Sequence, residues 1–343
     1  MAATTCTAGT APVSYRDVLD VPARLSPLAS RAMLNGLAMA GTRVISVGQR
    51  GHIVYSDDSG STWQQAKVPV SSDLLAVSFP SPTLGWAVGH DGVILHTVDA
   101  GASWTLQLDG RRSPALLRSY YGAPEFLGAD EPAQRLQADI VRTADQGPEN
   151  SLLDVWFADE RTGYVVGSFN LIFRTADAGK TWTPLYHATD NPSRLHLYSV
   201  RGIGGDVYLA GEQGLLLKLD AAGKRFSALS TPYKGSFFGI TGNQTAIVAY
   251  GLRGNAYRSS DGGRQWLKIE TPLQDGITAA AVLKDDVLAL VSQSGQLLLG
   301  KNMGESFAPV KLERAAPAAA IMGIGPDAVL VAGPRGIQRH PLR

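Results

Sequence analysis

Four stretches of this chain share the pattern Ser/Thr-x-Asp-x-Gly-x-x-Trp: Ser56 to Trp63, Thr97 to Trp104, Thr175 to Trp182 and Ser259 to Trp266. Two eroded copies, Leu219 to Phe226 and Gly300 to Phe307, keep the spacing and end on an aromatic residue. An octapeptide recurring at roughly forty-residue intervals means a repeat architecture, in which each unit buries its apolar face against its neighbours. The pattern is that of a tight turn. Asp58, Asp99, Asp177 and Asp261 are placed to accept hydrogen bonds from N–H groups just downstream. Gly60, Gly101, Gly179 and Gly263 supply a backbone conformation that a Cβ resists. Trp63, Trp104, Trp182 and Trp266 anchor the strand that follows, each with an indole N–H to satisfy. The expected role of these residues is structural rather than catalytic.

Upstream of each turn lies a second recurring element. Val47-Gly48-Gln49-Arg50-Gly51 is matched at Val88 to Gly92, Val166 to Asn170, Ala210 to Gly214, Tyr250 to Gly254, Val291 to Gly295 and Ala332 to Gly336. These seven hairpin signals follow short apolar runs (Val44–Val47, Trp86–Val88, Tyr164–Val166, Val207–Ala210, Ala246–Ala249, Leu288–Val291, Ala328–Ala332). A strand with one wet face alternates in polarity. These runs are nearly continuous, as in strands covered on both faces. Asn170 stands where other copies have Gly, and Asn also tolerates a left-handed conformation. Seven units of about four strands, sheet stacked on sheet, predict an all-β seven-bladed β-propeller.

The seventh unit ends after its third strand. Tyr15 to Val21 resembles the strands that follow the tryptophans, with Tyr15 in the Trp place, so the expectation is that this segment completes the last blade and closes the ring. Residues 13–343 are then a single propeller, with residues 1–12 an extension expected to be disordered. One interval is nearly double. Between Gly89 and Gly167 an insertion of about residues 110–150 carries two predicted helices. The first, Ala115–Tyr121, has Ser113 as cap, Pro114 in its first turn and Gly122 at its end. The second runs from Asp130-Glu131-Pro132 to about Ala144, with Leu136, Ile140 and Val141 as its apolar stripe opposite Arg135, Asp139 and Arg142.

Composition narrows the function classes. The 343 residues carry a formal net charge of +1, which offers no electrostatic case for nucleic acid. One cysteine, Cys6, allows neither an internal disulfide nor a cysteine metal cluster, and the six histidines show no metal-ligand spacing. No apolar run is long enough to span a membrane, and residues 1–10 have neither the charged start nor the apolar core of a signal peptide. No phosphate loop, nucleophile elbow or nucleotide fingerprint appears, so no cofactor and no metal is expected.

Strand order places the insertion on the same face as the hairpin tips, and the Asp turns on the other. Arg50, Arg253 and Arg335 occupy one hairpin slot in three units, and blades seven and one are ring neighbours. An arginine cluster around a central opening suits carboxylates or an acidic peptide. His90, Asp91, Phe169, Glu212 and Gln213 share the hairpin positions and complete the candidate binding set. The insertion is either rim packing or a lid. A rival enzymatic reading needs a carboxylate pair, as in glycoside hydrolases. Its candidates are Asp91, Glu212 and Asp154, the last in an otherwise apolar strand, where burial between blades is the simpler expectation.

Gly85 to Trp104, reading Gly-Trp-Ala-Val-Gly-x-x-Gly-x-Ile followed by Thr-x-Asp-x-Gly-x-x-Trp, resembles the photosystem II stability/assembly factor family of Asp-box (BNR-repeat) seven-bladed propellers. The resemblance covers nearly the whole chain outside the insertion. It implies a monomeric, non-catalytic, periplasmic or otherwise extracytoplasmic factor that holds a segment of a membrane-protein subunit. The Ala- and Arg-rich composition and helical insertion are more similar to bacterial relatives outside photosynthesis that accompany RND-type transporters. The alternative remains a sialidase-like, carbohydrate-active propeller. The early Phe/Tyr-Arg-Ile-Pro signature of that class is absent, and seven repeats fit its six blades poorly.

Overall fold

A computed structural model describes residues 16–312 and 315–342. Seven antiparallel sheets follow one another along the chain, six of four strands and a last one of three. The second strands are the apolar runs read above. Gly85–Gly89 and Ile247–Gly251 are buried at every position, because each is flanked by a sheet neighbour on both edges and by adjoining blades on both faces. Inner strands meet their neighbours in order around the ring, and Leu34–Ala40 of blade one packs beside Ala320–Gly323 of blade seven. The seam is apolar: Trp63, Val44 and Leu37 of blade one pack with Leu330, Ala328 and Ile337 of blade seven.

The first glycine of six hairpins (blade six has Ser292 in that slot) is explained by close approach rather than by backbone angle. Gly89 is extended, and a Cβ there would lie 2.0 Å from the Asp73 carbonyl oxygen. The residues at the tip do take left-handed angles: Arg50, Asp91, Phe169, Gln213 and Arg253 have φ between 51° and 58°, and Asn170 has φ 66° in the slot held elsewhere by glycine.

Ring closure departs from expectation. Among the described residues blade seven has no fourth strand. Arg16 to Ala23 lies instead over blades one and two. The Val18 carbonyl accepts the Ser71 N–H at 2.9 Å, the Ala23 N–H donates to Val68, and Leu19 is buried with Val68 and Val70. Asp17 and Asp20 both pair with Arg111, at 2.8 Å each. Two carboxylates facing one guanidinium, plus a buried leucine, outweigh the strand-like pattern of the segment. Tyr15 and the expected extension over residues 1–12 lie outside the described residues.

The insertion forms two helices, α1 (Ser113–Tyr121) and α2 (Glu131–Gln146). Ser113 is the first helical residue, not the cap. The free N–H groups of Arg111 and Arg112 are taken by the Asp109 carboxylate at 3.0 Å, and Gly122 ends α1 with an ordinary negative φ of −79°. Leu117, Tyr121 and Ile140 are buried against Trp86, Phe157, Trp182 and Tyr186. Val141 is not part of that stripe and stands 53 % exposed; Thr143 and Ala144 are buried in its place. Asp139 turns inward to pair with Arg194 at 3.0 Å.

Candidate functional site

One face of the ring is built from the Asp turns. In the second copy, Asp99 accepts the Thr97 hydroxyl at 2.7 Å, the Ser103 N–H at 2.9 Å and the Ser103 hydroxyl at 2.6 Å. The Thr97 oxygen in turn accepts the Gly101 N–H at 3.1 Å, and the Trp104 indole donates to the Gly101 carbonyl at 3.1 Å. The carboxylate's bonds recur around Asp58 and Asp177, and around Asp261, where the Arg264 N–H joins that of Gln265 in place of the hydroxyl. Bonds from Thr62 and Ser56 hold the Asp58 carboxyl down to about 2. Asp99 is lowered too, the bonds from Ser103 and Thr97 overcoming partial burial. A carboxylate whose lone pairs are this fully taken is a structural acceptor. Among the four tryptophans, Trp182 alone leaves its buried indole N–H without a partner. In the eroded copies Phe226 is fully buried, and Phe307 packs on Gly300 and Gly304, so the aromatic keeps its place after the aspartate is lost.

The opposite face carries the candidate binding residues. Arg50 and Arg253 are exposed at hairpin tips, with no ion pair among the described residues. Arg50 is fixed through its main chain, whose N–H donates to Asp73 at 2.7 Å. Arg335 is exposed on the same face but in a different turn. Blade seven has a two-residue connection between the paired Gly333 and Gly336, so Arg335 does not take the left-handed angle of its counterparts. His90 is exposed and meets the Ser151 hydroxyl at 2.8 Å. The Asp91 carbonyl accepts the Gly110 N–H at 2.8 Å, at the root of the insertion. Phe169 is half exposed and lies 4.5 Å from the His196 ring, while Gln213 is exposed beside Glu212. Glu212 is committed to the His196 N–H at 2.8 Å and the Tyr198 hydroxyl at 3.4 Å.

Between the faces runs a central cavity of about 210 Å³, lined by inner strands of all seven blades. It holds an ion pair that sequence reasoning only half found. Asp154, 4 % exposed, accepts the Val155 and Val200 N–H groups at 3.0 and 2.9 Å and pairs with Arg201, whose guanidinium borders the cavity. Burial pushes the neighbouring Tyr250 hydroxyl up to about 12. Arg201 was not singled out from the sequence, because its strand offers no repeat of the position in other blades. Of the three carboxylates considered for hydrolysis, Asp154 sits in the cavity wall, and Asp91 and Glu212 sit at two separate hairpins.

The insertion lies on the outer rim. Helix α1 packs on the outer strand Thr183–Pro184 of blade three. The Tyr186 hydroxyl, just beyond that strand, bonds to Thr143 of α2 at 2.9 Å and donates to the Phe169 carbonyl at 3.0 Å. The insertion thus buttresses one hairpin tip from behind. Among the described residues no three His, Cys, Asp or Glu side chains converge in a way that would hold a metal ion, and no helix is long and apolar enough to cross a membrane.

Known proteins share this fold. The sequence model of the photosynthesis system II assembly factor YCF48 family matches residues 39–116 and 134–284, well over half of the chain. The unmatched stretch between falls inside the insertion. A photosystem II assembly protein Ycf48 of Synechococcus sp. (strain JA-3-3Ab) is 25 % identical over 307 residues, covering 80 % of this chain and 86 % of the relative. A photosystem II assembly lipoprotein Ycf48 of Synechococcus sp. (strain CC9902) is 31 % identical over 118 residues, 33 % of this chain and 35 % of the relative. Among solved structures, YCF48 bound to D1 peptide superposes with a TM-score of 0.65 at 16 % identity, covering 91 % of this chain and 94 % of that one. The WD40 propeller domain of Doa1 follows at 0.61 and 10 %, covering 93 % and 95 %. At such identities the structural likeness concerns the fold.

Proposed function

The chain belongs to the photosynthesis system II assembly factor YCF48 family, and on that premise we propose that it is a non-catalytic, extracytoplasmic assembly factor whose hairpin face holds an acidic or carboxylate-bearing segment of a membrane-complex subunit. The observation that carries this reading is the contrast in charge satisfaction. The Asp turns use up their polar groups internally, whereas Arg50, Arg253 and Arg335 present guanidinium groups to solvent with no carboxylate partner among the described residues. A planar guanidinium recognises a carboxylate through two parallel hydrogen bonds, and a backbone already fixed in its turn leaves only the side chain to be ordered on binding. His90, Asp91, Phe169, Glu212 and Gln213 occupy the hairpins of blades two, three and four on the same face. The peptide-bound state of a YCF48 structure supports a peptide as the type of ligand, and the lipoprotein named among the relatives supports a site outside the cytoplasm.

The insertion acts here as a brace: through Thr143 and Tyr186 it holds the Phe169 tip in its strained left-handed turn. The relatives named above are photosystem II proteins, so the transporter setting draws no support from them. No observation favours the glycosidase reading, since the Asp154 carboxylate is already taken up by Arg201 and two main-chain N–H groups. The test is retention of a subunit from solubilised membranes on the immobilised chain. Retention should fall as salt rises and should fall further for Arg50→Ala/Arg253→Ala/Arg335→Ala than for any single change. Equal retention by wild type and triple variant would place the binding surface elsewhere.

A further inference from the structure

Blade seven is the one sheet with an open outer edge among the described residues. Its third strand, Gly336–Pro341, follows a two-residue turn, and its register pairs Gly333 with Gly336, Val331 with Gln338 and Val329 with His340. Beyond it, the Leu342 N–H donates to the Asp327 carbonyl at 2.8 Å. Hydrogen-bonded positions in an antiparallel pair alternate. The ladder toward Ala328–Gly333 is therefore made at 336, 338, 340 and 342, and the main-chain groups of Ile337, Arg339 and Pro341 point outward. Two free N–H donors and three carbonyls line that edge. Pro341 stands at an outward position, the kind of place where a strand tolerates proline. In the other six blades a fourth strand covers this edge.

The edge is also cationic. Arg335 at the turn and Arg339 on the strand are exposed, and exposed Arg31 lies against the strand's start, its Cα 2.6 Å from where a Gly336 Cβ would be. None of the three has an ion pair among the described residues, and the strand carries no acid. Leu28, 60 % exposed, stands just before the Ala29–Arg31 turn that packs on the strand. Residues 1–15 of the chain contain no carboxylate to match these arginines.

We propose that the outer edge of blade seven is a second docking site, which takes an extended acidic segment of a protein partner as the blade's fourth strand. Main-chain bonds to Ile337 and Arg339 give the register, the three arginines select for acid, and Leu28 offers apolar contact. This is distinct from the hairpin-face site, although Arg335 borders both.

The probe is an octapeptide alternating valine and glutamate, added to the full chain, with binding followed by fluorescence anisotropy and amide hydrogen exchange. We expect the Ile337 and Arg339 amides to exchange fast in the free chain and slowly in the complex. Methylating alternate peptide nitrogens on the strand-facing side should weaken binding at least tenfold, and so should Arg339→Pro, which removes an outward N–H without touching the ladder. Arg339→Ala should give a smaller loss, and a valine–lysine peptide should not bind. The slowed exchange of the Ile337 and Arg339 amides on peptide addition should persist in Arg50→Ala/Arg253→Ala, which separates this site from the hairpin face, where any binding of the same acidic peptide should be lost. Three results would overturn it: no binding, equal binding of the methylated peptide, or Ile337 and Arg339 amides already protected in the free chain, meaning that the chain's own residues fill the edge.

Discussion

The two faces of the ring use the same backbone device for opposite ends. On the Asp-turn face, Ser59, Ala100 and Ala178 take left-handed angles; on the hairpin face, Arg50, Phe169 and Arg253 do. In the first case the strain is repaid locally, because an Asp and a Ser or Thr bind every nearby donor and a tryptophan plugs the gap beneath. In the second the backbone of the turn is held by groups from neighbouring segments, such as Asp73 on the Arg50 N–H and Tyr186 on the Phe169 carbonyl, and the side chain at its tip makes none of these bonds and is left to solvent. A position that recurs with its bonds satisfied maintains the architecture. A position that recurs in backbone but varies in side chain is free to serve recognition. Substitutions on the two faces should therefore separate stability from binding.

The largest effect is expected at the plug. Trp104 is buried, meets Phe79 edge-on at 5.9 Å and donates its indole N–H to Gly101. Trp104→Ala should cost about 3–5 kcal/mol in denaturant unfolding, the range for emptying a large aromatic site. Next comes Asp99→Ala, which strips one carboxylate from three donors and should cost about 1–3 kcal/mol. If Asp99→Ala instead left the melting curve unchanged and abolished partner retention, the division between the faces would fail.

Acid offers a subtler probe of the same face. The Asp58 carboxyl is depressed from 3.8 to about 2 by bonds from Thr62 and Ser56. A depressed carboxylate adds stability above its unfolded value and loses it as pH falls through its folded value. The melting temperature should thus drop between about pH 4 and pH 2, and Asp58→Asn should flatten that slope. An equally steep slope in the variant would mean that other carboxylates carry the acid sensitivity.

Much of this was legible in the residues. The turn octapeptide and the continuous apolar runs are local signals, and they determined blade count, strand order and the place of the insertion. What was not legible depends on competition between distant partners. Tyr15 to Val21 reads like an outer strand, yet from Arg16 onward the segment follows Arg111, ninety residues away, which no periodicity encodes. Val141 and Ala144 lie on neighbouring faces of α2, and only the position of the Trp182–Tyr186 wall decides which is buried. Arg335 stands in the same repeat slot as its counterparts, but Pro334 precedes it and the blade-seven turn is one residue shorter, two residues between Gly333 and Gly336 against three between Gly48 and His52. At the candidate site, sequence found the tips and missed Arg201, because a single inner-strand charge has no repeat to announce it.

The smallest expected change in stability belongs to the hairpin face, and it is the most discriminating. Arg50, Arg253 and Arg335 are exposed, and no described ion pair depends on them. Replacing an exposed, unpaired side chain leaves folding free energy within about 0.5 kcal/mol. Arg50 and Arg253 sit at left-handed positions that alanine tolerates no worse than arginine, so the turn itself should survive. The triple alanine variant should therefore melt with the wild type while losing salt-sensitive retention of its partner. A melting temperature lowered as far as that of Asp99→Ala would show that these arginines stabilise the ring, and would remove the contrast between the faces on which the binding assignment rests.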